Sequence, residues 1–168
     1  MSASKRILVV NDTKEILELF RDFLETELGH QVTLMSFAPD ELDRIADQKP
    51  DLIIIDFVIG DREMEGWQLL QKLRMYRPTA KIPVLACTAA VRQVRDQEAY
   101  LLEQGIEVVL KPFGLDQLEG AVRRALGQEG GAASVEAIQR SRRRKPSPRR
   151  ARPARRGPAA APNGRPGG

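Results

Sequence analysis

Five short apolar runs, at residues 7–10, 32–35, 52–55, 83–87 and 108–110, alternate with longer segments whose apolar residues recur at helical spacing. Runs such as ILVV and LIII carry no polar alternation. That is the pattern of strands covered on both faces, as in a parallel sheet. Strict alternation of strand and helix implies one parallel sheet with helices on both sides. Crossovers between such strands are right-handed, which leaves few topologies. The expected architecture is α/β: a doubly wound, five-stranded parallel sheet of order 2-1-3-4-5.

The intervening segments supply the helices. Residues 13–28 place Ile16, Leu17, Leu19, Phe20, Phe23, Leu24 and Leu28 at helical period, with Asp12 or Thr13 as cap and Gly29 as stop. A second helix spans 39–48, with Leu42, Ile45 and Ala46 facing inward, and Lys49-Pro50 turns the chain into the third strand. A loop with Gly60 and Gly66 leads to a helix at 67–75. One longer, polar-rich helix is expected at 91–104, stopped by Gly105. The last, at 115–126, lines up Leu115, Leu118, Val122 and Leu126 on one face.

Four of the five runs are closed by residues able to do chemistry: Asp12, Asp56, Thr88 and Lys111. Parallel strands end on one rim, and ligands in open α/β sheets bind at that rim where the strand order reverses. In the expected order the crevice lies beside strands 1 and 3, which Asp12 and Asp56 end. Two carboxylates, a hydroxyl and an ammonium converging there can hold a divalent metal and a phosphoryl group. Taken singly, each residue is a cap, a turn residue or a solvated charge; the combination in this order carries the information.

With those residues in place, the segments VVND, LIIID, VLACTA and LKPF resemble the response-regulator receiver domain of two-component signalling, a CheY-like, flavodoxin-like fold. The resemblance covers residues 5–126. It implies that Asp56 is the phosphoacceptor, taking a phosphoryl group from a phosphohistidine of a sensor histidine kinase or phosphotransfer protein. It implies Mg²⁺ held by Asp12 and Asp56 with the backbone carbonyl of Val58, and Asn11 contributing weakly or through water. Lys111 would meet the phosphoryl oxygens and Thr88 would follow them with its hydroxyl. The bond before Pro112 would be cis. Mg²⁺ suits such a site because it prefers oxygen ligands and retains several waters.

The chain also departs from the family pattern. Asn11 stands where a second acid is usual, which removes one negative charge beside the metal. The segments 56–66 and 88–105 are each about two residues longer than usual, and the proline that customarily comes after the acceptor is missing. Val108 replaces the aromatic residue three before the lysine, so switching must proceed without that ring. Val58 and Ala90 cannot position a water, which implies slow loss of the phosphoryl group. Val58 also stands where phosphatases of the haloacid-dehalogenase type place an acid/base Asp. The chain is therefore expected not to be an enzyme.

Charge divides the chain in two. Residues 1–127 carry 16 Lys and Arg against 21 Asp and Glu, whereas the remainder carries 11 against 2. The Arg/Pro/Ala/Gly-rich segment 127–168 has no aromatic residue and few branched aliphatics, too little apolar surface to offset chain entropy. It is expected to be disordered apart from a weak helical piece near 134–139. Three roles are open to it: none, electrostatic contact with nucleic acid, or contact with the acidic domain or an acidic partner. It cannot hold an output domain, which points to a stand-alone receiver. The single Cys87 excludes an internal disulfide and reads as a small core residue. His30, the sole histidine, reads as structural, and Trp67 as packing or a partner contact. No signal peptide or membrane span is evident, so a cytoplasmic location without membrane contact is expected.

The leading expectation is a single-domain response regulator whose output is contact with a downstream target protein. The alternative is a degenerate receiver that binds partners independently of phosphorylation, its basic tail contacting nucleic acid or an acidic partner.

Overall fold

The computed structural model describes residues 3–36, 42–57 and 65–128. The segments 37–41, 58–64 and 129–168, and with them Val58, the loop after Asp56 and nearly all of the basic tail, lie outside the described residues.

Five parallel strands form one sheet: β1 (Arg6–Val10), β2 (Gln31–Met35), β3 (Leu52–Ile55), β4 (Val84–Thr88) and β5 (Glu107–Leu110). Their order is β2-β1-β3-β4-β5, as the alternation predicts. The register pairs Val10 with Met35 and Ile55, Ile55 with Ala86, and Thr88 with Leu110. The central runs are buried along their whole length because both sheet faces are covered. β2 is an edge strand and alternates exposed and part-buried residues.

The pleat sends successive side chains to opposite faces. Leu8, Val10, Ile53 and Ile55 join one core with Ile45 of α2 (Leu42–Asp47) and Leu69, Leu70 and Leu73 of α3 (Glu65–Met75). Val94 of α4 (Val91–Asp96) and Leu101 of α5 (Glu98–Glu103) complete that face. Ile7, Val9, Leu52 and Ile54 join the other core. There they meet Leu17 and Phe20 of α1 (Lys14–Asp22) and Leu118, Ala121 and Val122 of α6 (Leu115–Ala125).

Several elements differ from the sequence expectation. The segment 91–104 is two helices rather than one. Gln97 leaves helical geometry at φ −108° and ψ 12°, between the buried anchors Val94 and Leu101. With only two strong apolar anchors, the sheet surface sets the path rather than helix continuity. The first helix passes at Phe23–Glu27 into a π-helical turn, where Leu28 N–H donates to Phe23 O. Leu19 projects into solvent, 57% exposed, on the outer side of α1. Thr13 is the N-cap residue of α1, as expected; its carbonyl accepts the Leu17 N–H at 3.1 Å, and its side chain makes no capping hydrogen bond. The Asn11 Oδ1 instead accepts the Thr13 N–H at 2.8 Å, an Asx turn that leads the chain into the helix. Leu115, the first residue of α6, is 52% exposed, and the helix buries Leu118, Ala121 and Val122 instead.

Trp67 is packing: it lies edge-on to Phe57 at 5.5 Å and to Tyr100 at 5.3 Å, sealing the core beneath α3. Gly105, with φ +62°, ends α5 by a Schellman turn, Ile106 N–H donating to Leu101 O at 2.9 Å. Gly66 answers a different demand. A Cβ there would fall 1.7 Å from the backbone oxygen of Asp56, so α3 can rest on the end of β3 only without a side chain. Gly66→Ala is therefore expected to cost about 1–3 kcal/mol through overpacking. A lowered urea midpoint together with shifted amide resonances at Asp56 and Phe57 would confirm it; an unchanged midpoint would show that α3 has room.

His30 is buried, and its Nδ1 accepts the Lys5 N–H at 3.3 Å. Burial, and secondarily the charge of Lys5, holds its pKa below the usual 6.5. The unfolded chain therefore takes up this proton at higher pH than the folded one. The His30 contribution to stability is full above pH 6.5 and declines as pH falls below it. Urea midpoints of the wild type should fall between pH 7 and pH 5 more steeply than those of His30→Gln, and parallel slopes would rule the linkage out.

Candidate functional site

The carboxyl ends of β1, β3, β4 and β5 form one rim. Because Val10 pairs with Ile55, the next residues, Asn11 and Asp56, are level with each other, and Asp12 stands one position beyond. Thr88 is the last residue of β4 rather than the first after it, and it pairs with Leu110 of β5. Lys111 comes directly after and donates its backbone N–H to Thr88 O at 2.9 Å. All four chemical residues singled out in the sequence thus stand at this edge of the sheet.

Asp56 is 8% exposed. Its Oδ2 receives the Lys111 Nζ at 2.6 Å, across 55 residues of chain. This charge-assisted hydrogen bond is of the short, strong kind. The ammonium retains contact with solvent while the carboxylate is nearly enclosed. The Lys111–Pro112 bond is cis, as the resemblance implies. Thr88 is fully buried, and its Oγ1 accepts the Ala90 N–H at 3.1 Å. A hydroxyl that accepts there still has its proton to donate elsewhere.

Asp12 is exposed, and its Oδ1 accepts the Thr13 hydroxyl at 3.2 Å. Asn11 is buried, with its own N–H on Met35 O at 3.3 Å and its side chain in the Asx turn. Its amide therefore holds the β1–α1 corner in shape, a structural task that the missing negative charge does not disturb. Val108 is buried in the β4–β5 part of the core. Cys87, just before Thr88, is buried and its thiol is pushed up to about 12, chiefly by burial. It is an inert packing residue.

Among the described residues no three His, Cys, Asp or Glu side chains gather as a metal centre. Two carboxylates at a rim open to water match Mg²⁺, which takes one or two carboxylates and fills its shell with waters. They do not match zinc, which wants four protein ligands or three. Sequence reasoning missed Gly66. The glycine was visible, but its closeness to the Asp56 carbonyl depends on how α3 docks.

The Asp56–Lys111 pair should be measurable as a coupling. Lys111→Met leaves a nearly enclosed carboxylate without its ammonium and should lose about 1–3 kcal/mol. In the double variant Asp56→Asn/Lys111→Met the loss should be smaller than the sum of the single losses. Additive urea midpoints would mean that the contact is energetically idle.

Comparison with known proteins agrees with this fold. The family model for the response regulator receiver domain matches residues 7–123. The response regulator Rre1 of Synechocystis is 31% identical over 124 residues, covering 73% of this chain and 52% of that protein. The transcriptional regulatory protein KdpE of Mycobacterium tuberculosis is 32% identical over 131 residues, covering 77% and 54%. The chain thus spans about half the length of these relatives. The CheY-like receiver domain protein of Methanospirillum hungatei superposes with a TM-score of 0.61 at 26% identity, over 75% of this chain and 96% of that one. The receiver domain of a Pseudomonas aeruginosa sensor histidine kinase, with magnesium coordinated in its active site cleft, has a TM-score of 0.59 at 24% identity. It covers 74% of this chain and 99% of that chain, and shows the shared fold. With a matching family model, 30%-level relatives and the same sheet order, the chain belongs to the response regulator receiver domain family.

Proposed function

We propose that this chain is a phosphorylatable receiver, with Asp56 as acceptor. The observation that carries the reading is the 2.6 Å contact between Lys111 and a nearly enclosed Asp56 at the carboxyl rim. In the proposed reaction, a carboxylate oxygen of Asp56 attacks the phosphorus of a phosphohistidine on a sensor kinase or phosphotransfer protein. The O–P bond forms, the P–N bond breaks, and the imidazole leaves with the electron pair. Carboxylates serve as nucleophiles to phosphorus in this way.

Lys111 orients the carboxylate before transfer and remains beside it as a point charge for the phosphoryl oxygens. The Thr88 hydroxyl donates to the same group. Asp12 and Asp56 are the residues that would hold Mg²⁺, with the Val58 carbonyl from outside the described residues and Asn11 through a water. When bound, Mg²⁺ supplies neutralisation of the negative charge that builds up during transfer. Phosphorylation adds roughly two negative charges at the rim, and the output is altered contact with a target protein. The domain proper is residues 5–126, and 127–168 is an appendage. Among the described residues no helix is long and apolar enough to cross a membrane.

A phosphorylation-independent binding role is the second reading. Its support is Asn11, whose amide serves the β1–α1 corner in place of a second acid. Beryllofluoride, a phosphoryl mimic, separates the two. With Mg²⁺ present, wild-type protein should show saturable NMR shifts at Thr88 and Lys111, and Asp56→Asn should show none. The absence of shifts in the wild type at millimolar Mg²⁺ would reject the phosphorylatable reading in favour of the second.

A further inference from the structure

Between the π-helical turn that follows α1 and the helix α6 there is an open groove of about 620 Å³, with none of Asp12, Asp56, Thr88 or Lys111 in its lining. Phe23 and Leu28, from the π-helical turn and its end, and Leu115 of α6 give it apolar walls. Leu115 is the half-exposed residue that the helical pattern expects to be inside. Glu27, Asp116 and Glu119 also line the groove, against one cation, Arg123, which pairs with Glu119. His30 faces it too, and burial disfavours its charged form. The groove is therefore apolar with a net negative rim.

The path of the chain indicates what can cover it. Gln128, the last described residue, itself lines the groove. The sequence beyond reads EGGAASVEAIQRSRRRK. Val135 and Ile138 are the only aliphatic residues larger than alanine or proline after Gln128, and they are three apart. Five positive charges come at once after them: Arg140, Arg142, Arg143, Arg144 and Lys145. An apolar pair leading into a basic cluster complements an apolar groove with an acidic rim. From Gln128 to Val135 the chain can reach at most about 25 Å, and the groove begins at Gln128, so reach is no obstacle. Tethering at the mouth of the groove also gives the segment an effective concentration on the order of millimolar, so weak contacts suffice.

We propose that residues 135–145 of this same chain dock in the α1–α6 groove, with Val135 and Ile138 against Phe23, Leu28 and Leu115. The arginines then meet Glu27, Asp116 and Glu119. The contact needs no phosphoryl group. The tail is on this view an internal ligand of the domain, held by apolar contact and by charge that salt screens.

The test uses the full chain. Cys87 is buried with its thiol pushed up to about 12, so a nitroxide reagent should label only the new thiol of Ser147→Cys. At low salt the label should broaden the amides of Gly29, Asp116 and Glu119 selectively. The broadening should fall several-fold in 1 M salt, where the screening length is about 3 Å. It should fall similarly in the tail variant Val135→Ser/Ile138→Ser, which alters nothing in the folded domain. No broadening at low salt, or broadening spread evenly over the surface, would overturn the proposal. So would broadening unchanged by the tail variant. Broadening of an unlabelled, isotope-enriched copy mixed with a spin-labelled one would overturn it in favour of contact between two molecules.

Discussion

The parallel pairing of β3 with β1 on one side and β4 on the other is the constraint on which everything else rests. Leu52–Ile55 is buried on both faces, so its pairing partners and register are held by two cores at once. A slip of one residue would exchange those cores. With Val10 opposite Ile55, and Ile55 opposite Ala86, the residues just past each strand have one place to go. The carboxylates of β1 and β3 and the ammonium after β5 share a rim because their strands share a direction. The Asp56–Lys111 contact, bridging 55 residues of chain, is a consequence of strand order rather than of any local motif.

The helices adapt to that sheet. Where the anchors are dense, as with Leu69, Leu70 and Leu73, α3 stays continuous over 11 residues. Where they are sparse, the helix breaks at Gln97 and each half finds its own buried residue. Gly66 brings α3 down onto the backbone of Asp56, so the helix and the end of β3 form one packed unit. The Asx turn of Asn11 performs the corresponding task at the β1–α1 corner. Both residues shape the backbone around the rim.

Charge separates the domain from its C-terminal continuation. Acidic residues predominate through residue 127 and basic ones beyond. The receiver family explains the first part and is silent on the second, since its model matches only residues 7–123 and the chain spans half of its relatives. The groove beside α6 is lined by Gln128, the last described residue, from which the basic part of the chain continues in sequence.

The sequence by itself determined the strands, their direction and order, and the four residues at the rim. Those properties are written in apolar runs, helical periodicity and strand-end chemistry, which depend on near neighbours. It also marked His30, Trp67 and Cys87 as structural or packing residues, which burial bears out. Only the tertiary structure decided that Gln97 divides a helix, that Leu115 stays half exposed and that the Asn11 side chain closes an Asx turn at the entry to α1. The same holds for the demand at Gly66 that no side chain be present. Each of these turns on how closely one element approaches another. A contact of that kind is set by packing between distant parts of the chain and leaves no periodic trace in the order of residues.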